Sequence, residues 1–524
     1  MMKRMIALLC AAVLFLSAAA VSFADEWERV DEAPGPEERV EENEENDPEE
    51  DPEEPVEEGE ETGPADVFEN GAAQDIFSIP EDLQVPSQED ALWLRIGLKY
   101  GSSAVSASIC ECQDGFYIAR IEDGEYVLTH DLTMYSAVAC MPSDGGAALL
   151  GSDGTFITFL QSDQMLLSAA EDPDERIITI DEKQYRDGVS YIAAGDVLTV
   201  INRITLEHYL LGVIANEMGA YYPEEALKAQ SVAARSFTVA NLNKHRYYGF
   251  DLCDSTNCQV YRGVSSETVQ TTAAVQATDD LVMRSEGKIA SGMYYAYSSG
   301  HTLNSEDVWT TSSSYLKGIT DEYAGEYIWR ASVSFDTIKG KLQDLGYRPG
   351  DILSVQVKER LENTAVRSIL IETDSGDITV EKWSVVSALG GSSLVKSQFF
   401  YIGNSDYPQA DDVLEGTVYT TGKASYDADE AFCVLGSDGI VHEIAVEDAY
   451  VTNGKTTLSA ASQMNSSYSD EIAEDGTVYF TGFGFGHGVG MPQVSARNMA
   501  NAGKSFRQIL QYYYTDITIE HYSD

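Results

Sequence analysis

Between Thr205 and Leu242 the apolar positions fall into two helical stripes. Leu206, Tyr209, Leu210, Val213 and Ile214 recur at the spacing of one helix face. The next position on that stripe is a carboxylate, Glu217. Pro223, Glu224 and Glu225 then mark a fresh start, with proline suited to the first helical position and acids to the positive end of the dipole. The second helix has alanine at 226, 229, 233, 234 and 240 and is apolar nearly all round, so it is predicted to be buried. Gln230, on the Ala226–Ala233–Phe237 face, and Arg235, on the Val232–Val239–Leu242 face, then need polar partners.

Before these helices the texture is that of strands. LWLRIGLKY, GFYIARI, EYVLTH and TFITFL are short runs broken by Gly, Asp and Ser, and IITIDEKQYRDGVSYIAAGDVLTVINR leads straight into the Glu217 helix. After them, YYAYSSGHTLNSEDVW reads as aromatic strand followed by polar loop. Alternation returns over residues 325–400, where DSGD predicts a hairpin, and residues 405–470 are again β-like. The chain closes as strand, glycine loop and helix. Helices are expected near 205–245, 265–280 and 492–514. The pattern predicts an α+β fold, with a helical catalytic core combined with β-rich subdomains and preceded by a disordered acidic spacer.

The ends and the charge add a location. Lys3 and Arg4 precede an apolar run that ends in small residues, with a cleavage position after Ala24, the form of a secretory signal over residues 1–24. Left uncleaved, the run is long enough to anchor the chain in a membrane. Residues 25–84 are acidic and punctuated by proline, a solvated linker that cannot bury enough surface to order itself. A β-rich N-terminal domain is expected over 85–185 and a catalytic domain over 186–524, with a β-rich insertion at about 325–475. The net charge of -54 argues against a nucleic-acid partner and suits a secreted or cell-surface protein. Seven cysteines, one of them in the signal, are too few for a disulfide scaffold in so long a chain.

Three constellations carry chemistry. Glu217 on an apolar stripe is either the partner of a buried arginine, Arg235 being the obvious one, or an acid whose pKa is raised by burial, as acid catalysis of glycosidic cleavage requires. Cys253 and Cys258, four residues apart in GFDLCDSTNCQVYRG with His245 upstream, suit either a zinc site or a small disulfide. GFGFGHGVG does not match a nucleotide loop, because His487 stands where the third glycine would be. That loop is read as the wall of a groove for a polar polymer, with His487 and Gln493, or as a tightly packed turn in which His487 is internal. A serine-hydrolase reading of Ser298 and His301 fails, since the two lie too near in sequence and lack the strand–elbow–helix setting.

Three blocks together resemble the SpoIID/LytB family of sporulation and cell-wall proteins: TLEHYLLGVIANEMGAYYPEEALKAQSVAARSFTVANL, YYAYSSGHTLNSEDVW and GFGFGHGVGMPQVSARNMANAGKSFRQILQYYY. They lie within residues 186–521. The resemblance implies a peptidoglycan lytic transglycosylase that cleaves the β-1,4 bond between N-acetylmuramic acid and N-acetylglucosamine and leaves a 1,6-anhydro end. It puts the catalytic acid on Glu217 and the essential arginine on Arg235. Gln230, Ser298, Ser299, His301, His487 and Gln493 are the expected substrate-binding residues, with Gly300, Gly486 and Gly488 in the matched blocks. Cys253, Cys258 and His245 are the expected ligands of a structural zinc, and the chemistry itself requires no cofactor. Expected partners are peptidoglycan glycan strands and, in the competing reading as a non-catalytic activator, a cell-wall amidase or sporulation membrane proteins. A plain glycan-binding module is the third reading. The long acidic spacer, the β-rich N-terminal region and the extra sequence before the glycine loop depart from the family pattern.

Overall fold

A computed structural model describes residues 91–122, 125–403 and 470–523, together with the backbone of short hairpin strands between 417 and 459. The expected signal, most of the acidic linker and the side chains of the 405–469 stretch lie outside the described residues. Two compact units are present, one containing Gly97–Arg203 and the other Leu94–Ile96 and Ile204–Asp524.

The first unit is built from antiparallel strands, several of which are buried on both faces. Strands Ser108–Glu111, Ala137–Ser143, Gly146–Gly151 and Phe156–Leu160 pair in sequence, with Ile177–Ile180 and Lys183–Arg186 added beyond the first. A second sheet pairs Phe116–Glu122 with Glu125–Leu132 on one side and Gln164–Ser168 on the other. Ala119, Met165 and Leu167 are fully enclosed there, and so are Ile118 and Leu166, whose side chains point to the opposite face, so both faces of these strands are covered.

In the second unit a β-rich layer surrounds one apolar core. Ile328–Ser334 and Phe400–Gly403 both pair with the central strand Thr477–Phe483, and Ile352–Arg360, Val366–Thr373 and Ile378–Glu381 form a meander. The DSGD turn joins the last two strands, as its hairpin chemistry predicts. Trp329, Ile338, Val355, Ile369, Ile371, Phe400 and Phe480 belong to this core. Between 417 and 459 three further hairpins pair antiparallel.

This architecture corrects the expected fold class. The described residues are β-rich and the helices a minority of them, so the fold is not an α+β arrangement around a helical core. Short strands interrupted by Gly, Asp and Ser look like decoration in sequence because each is weak alone. Paired across sheets, they enclose most of the apolar core. One helix was also unforeseen: Phe335–Asp344 interrupts the alternation, started by Ser334, whose side chain accepts from Thr337 N. Its Phe335, Ile338 and Leu342 are buried at helical spacing.

Candidate functional site

The helix Leu206–Glu217 is buried on nearly every side through Ile214. Gly212 explains how tightly it is covered. A Cβ at this position would lie 2.5 Å from the Tyr261 ring, so glycine lets the loop carrying Cys258 to Tyr261 press onto the helix. Tyr209 also packs on Tyr261, with ring centroids 5.0 Å apart. That approach brings the Val260 N–H to the Glu217 carboxyl, donating to Oε1 at 2.9 Å.

Glu217 is the last residue of its helix and only partly covered by surface area, although its carboxyl is densely surrounded. Burial pushes its pKa up, and hydrogen bonds from Val260 N, Gln493 and Tyr294 partly oppose the shift. The negative end of the helix dipole acts in the same direction as burial. Gln493 opens the helix Gln493–Asn501 and places Nε2 at 3.4 Å from Oε2. Among the described residues no lysine, arginine or histidine forms an ion pair with this carboxyl.

Arg235 goes elsewhere. Its side chain is fully buried and forms a fork on Glu207, Nε to Oε1 at 2.7 Å and Nη2 to Oε2 at 2.6 Å, while Nη1 donates to the Leu281 carbonyl at 3.1 Å. It fastens the two helices to the strand Leu281–Ser285. The pairing with Glu217 considered from sequence is therefore not formed, and Arg235 lies among structural partners. Gln230 is fully enclosed, and neither of its amide atoms has a hydrogen-bond partner among the described residues. It is not at a surface that a glycan could reach.

The glycine loop is packed backbone to backbone. Phe485 and Tyr297 exchange hydrogen bonds at 2.9 and 3.0 Å, and Met491 N donates to Met293 O at 3.1 Å. Gly490, at φ +78°, would put a Cβ 2.1 Å from Met293 O, and Gly486, at φ +121°, would put one 2.6 Å from Tyr295 Cβ. The alternation thus serves the close approach of the Met293–Tyr297 segment. His487 sits in the same packing, part of its surface still open but its ring densely surrounded. Nε2 donates to Tyr294 O at 3.0 Å and Nδ1 accepts from Val489 N at 3.1 Å, which fixes a neutral tautomer. Burial lowers its pKa to about 4.

The central block divides. Ser298 is buried and accepts from Gly300 N at 3.1 Å, an internal turn contact. Ser299 and His301 line a cleft of about 350 Å³ with Asn363, Tyr401 and Phe483. The Ser299 hydroxyl oxygen is buried there with no partner among the described residues. Of the expected substrate-binding residues, only Gln493 touches Glu217 directly.

His245, Cys253 and Cys258 come together, with donor atoms all within 4.8 Å of one another. His245 Nε2 lies 3.3 Å from Cys258 Sγ, and both cysteines are free thiols. Two sulfurs and an imidazole nitrogen suit zinc, which takes four donors, so a fourth donor from outside this trio would be needed.

Sequence reasoning missed two contributors. Val260 acts through its backbone N–H and so leaves no side-chain signal. Tyr294 reads only as part of an aromatic strand in MYYAY.

The family description "Stage II sporulation protein", SpoIID, matches residues 194–284, the stretch that holds the Glu217 and Arg235 helices and the cysteine loop. The amidase enhancer of Bacillus subtilis (strain 168) is 29% identical over 315 residues, covering 60% of this chain. This chain spans only 40% of the length of that relative. Stage II sporulation protein D of Bacillus amyloliquefaciens is 26% identical, covering 61% of this chain and 75% of its own length. The protein of the same name from Bacillus subtilis (strain 168) is also 26% identical, over 60% of this chain and 74% of its own.

Proposed function

Because the chain belongs to the SpoIID family, we propose that it is a cell-wall lytic transglycosylase of peptidoglycan with Glu217 as its single acid–base group. The observation that carries this reading is a carboxyl that pairs with no cation among the described residues, with burial favouring its protonated form.

Glu217 donates its proton to the oxygen bridging N-acetylmuramic acid and N-acetylglucosamine, and the bond from that oxygen to the muramic anomeric carbon breaks. The muramic 6-hydroxyl attacks the same carbon and gives its proton to the Glu217 carboxylate. A 1,6-anhydro ring closes, no water is consumed, and the carboxyl ends protonated as it began. The ordinary glycosidase needs a second carboxylate. Glu207 is unsuited to that part, being held by Arg235. While Glu217 is ionised, Val260 N–H and the Gln493 amide stabilise it.

A structural zinc at His245, Cys253 and Cys258 belongs to the same proposal. These three residues would hold the ion, which would tie down the loop leading to Val260 and take no part in the chemical steps. Location at the wall outside the cytoplasmic membrane is likewise proposed, from the N-terminal signal pattern. Among the described residues no helix is long and apolar enough to cross a membrane.

The relative named amidase enhancer supports a second reading, a non-catalytic activator of a wall amidase. Incubation of the purified protein alone with glycan strands separates the two. Anhydro ends that appear with the wild type and vanish with Glu217→Gln support the enzyme. Amidase stimulation that survives Glu217→Gln, with no glycan product, supports the activator.

A further inference from the structure

We infer that Tyr221 and Tyr222, braced by Arg497, form a stacking subsite beside Glu217 for a pyranose ring of the glycan strand. The inference rests on the reading of Glu217 as the acid, from which it takes its ligand.

The loop between the two buried helices is held at both ends and displays its middle. Met218 is buried, its N–H donating to the Ile214 carbonyl at 2.9 Å, and Pro223 leads into the helix Glu224–Ala240. Between them Tyr222 N donates to Gly219 O at 3.0 Å and closes a tight turn. A Cβ at Gly219 would lie 2.5 Å from the Tyr221 ring, so glycine lets that ring lie back over its own turn. Tyr221 and Tyr222 pack on each other, with ring centroids 4.9 Å and planes 46° apart. Tyr221 nevertheless stays 77% exposed, on the turn that directly follows the acid. A large aromatic side chain fixed by its neighbours and left in water beside a reactive group is a contact surface.

A second element ties these rings to the acid. Arg497 lies over the Tyr222 ring, its guanidinium carbon 5.6 Å from the centroid. It comes one turn after Gln493 on the helix Gln493–Asn501, and Gln493 touches Glu217. One helix face therefore carries both the contact to the acid and the brace of the aromatic pair. Among the described residues Arg497 forms no ion pair, which leaves its N–H groups for an oxygen of a bound sugar. The rings choose the ligand class. One side of a pyranose presents C–H groups, which suit the negative face of an aromatic ring, while its hydroxyls stay in water. An open pair of tyrosines with a guanidinium at its edge offers both kinds of contact.

The test is calorimetric binding of an N-acetylglucosamine hexasaccharide to the full chain in the Glu217→Gln background, where the proposed acid is absent. Tyr221→Ala weakens binding about three- to tenfold, the worth of one aromatic contact. Tyr221→Phe keeps it, because the ring makes the contact and the hydroxyl does not. Tyr221 is exposed, so its truncation leaves the thermal midpoint in place and the loss is not one of folding. Where glycan turnover is measured, Tyr221→Ala raises KM by the same factor with kcat little changed. Unchanged affinity in Tyr221→Ala overturns the subsite, as does a parent protein that fails to bind the hexasaccharide at millimolar concentration. Amidase stimulation lost in Tyr221→Ala at unchanged sugar affinity assigns the rings to a protein partner and overturns it too. Weakened binding in a protein whose Glu217 form makes no anhydro product keeps the subsite and removes the enzymatic reading. Anhydro product with unchanged KM in Tyr221→Ala does the reverse.

Discussion

Glu217 and Arg235 show what a sequence can and cannot disclose about a single side chain. The apolar stripe exposes Glu217 because the carboxylate replaces the next greasy position of a helix whose whole flank is covered. The partner of Arg235 was not legible. Glu207 lies on the same helix as Glu217, and only the packed geometry decides which acid meets the guanidinium. Replacing Arg235 by Ala should therefore cost fold stability, roughly 3–5 kcal/mol, because it breaks a largely buried pair; denaturant unfolding measures this. Glu217→Gln should behave oppositely. A folded pKa above the unfolded one means wild-type stability is lost as pH rises through the folded value, and the amide escapes that loss. At neutral pH this variant should unfold no earlier than wild type while turnover drops about 10²–10⁴-fold. Turnover of the wild type should itself fall as pH rises through the raised Glu217 pKa. His487 carries the reverse sign: its folded pKa of about 4 lies below the ordinary 6.5, so stability is lost as pH falls between these values. The loss approaches ~3 kcal/mol in acid, and a pH series of unfolding midpoints in wild type and His487→Gln, which lacks this dependence, checks it.

Among the elements, those with a strong local pattern were legible. The two helices around Glu217 and Arg235, the strands before them and the DSGD hairpin all lie where period and turn chemistry put them. The glycine loop was legible as a place of close approach, but not what approaches it. The answer is a segment nearly two hundred residues earlier in the chain, Met293–Tyr297. Two substitutions separate the roles of glycine. Gly503→Ala, at φ +79° with nothing within 4 Å of the added Cβ, meets backbone strain alone, about 1–2 kcal/mol. Gly490→Ala meets the same strain and a collision with Met293 O. It should therefore lower the thermal midpoint by clearly more than Gly503→Ala, and equal shifts would show that the loop does not need the approach.

For the whole molecule, the sequence blocks mark a family more clearly than an architecture. The β-rich framework arises from strands that are short and broken, so its contribution becomes visible only when they pair across sheets. The cysteine loop belongs at this scale because it connects a metal-type donor set, ending at Cys258, to the hydrogen bond that Val260 N–H donates to Glu217 two residues later. Metal analysis of protein purified under reducing conditions should find about one zinc per chain, and Cys253→Ser should lose it together with thermal stability. A metal content near zero in the wild type would remove the zinc. The central claim is tested most directly by mass analysis of glycan strands, freed of their stem peptides, after incubation with the purified protein and no partner. The account predicts 1,6-anhydromuramic ends with the wild type and none with Glu217→Gln; ordinary reducing ends, or undiminished anhydro product from Glu217→Gln, would contradict it.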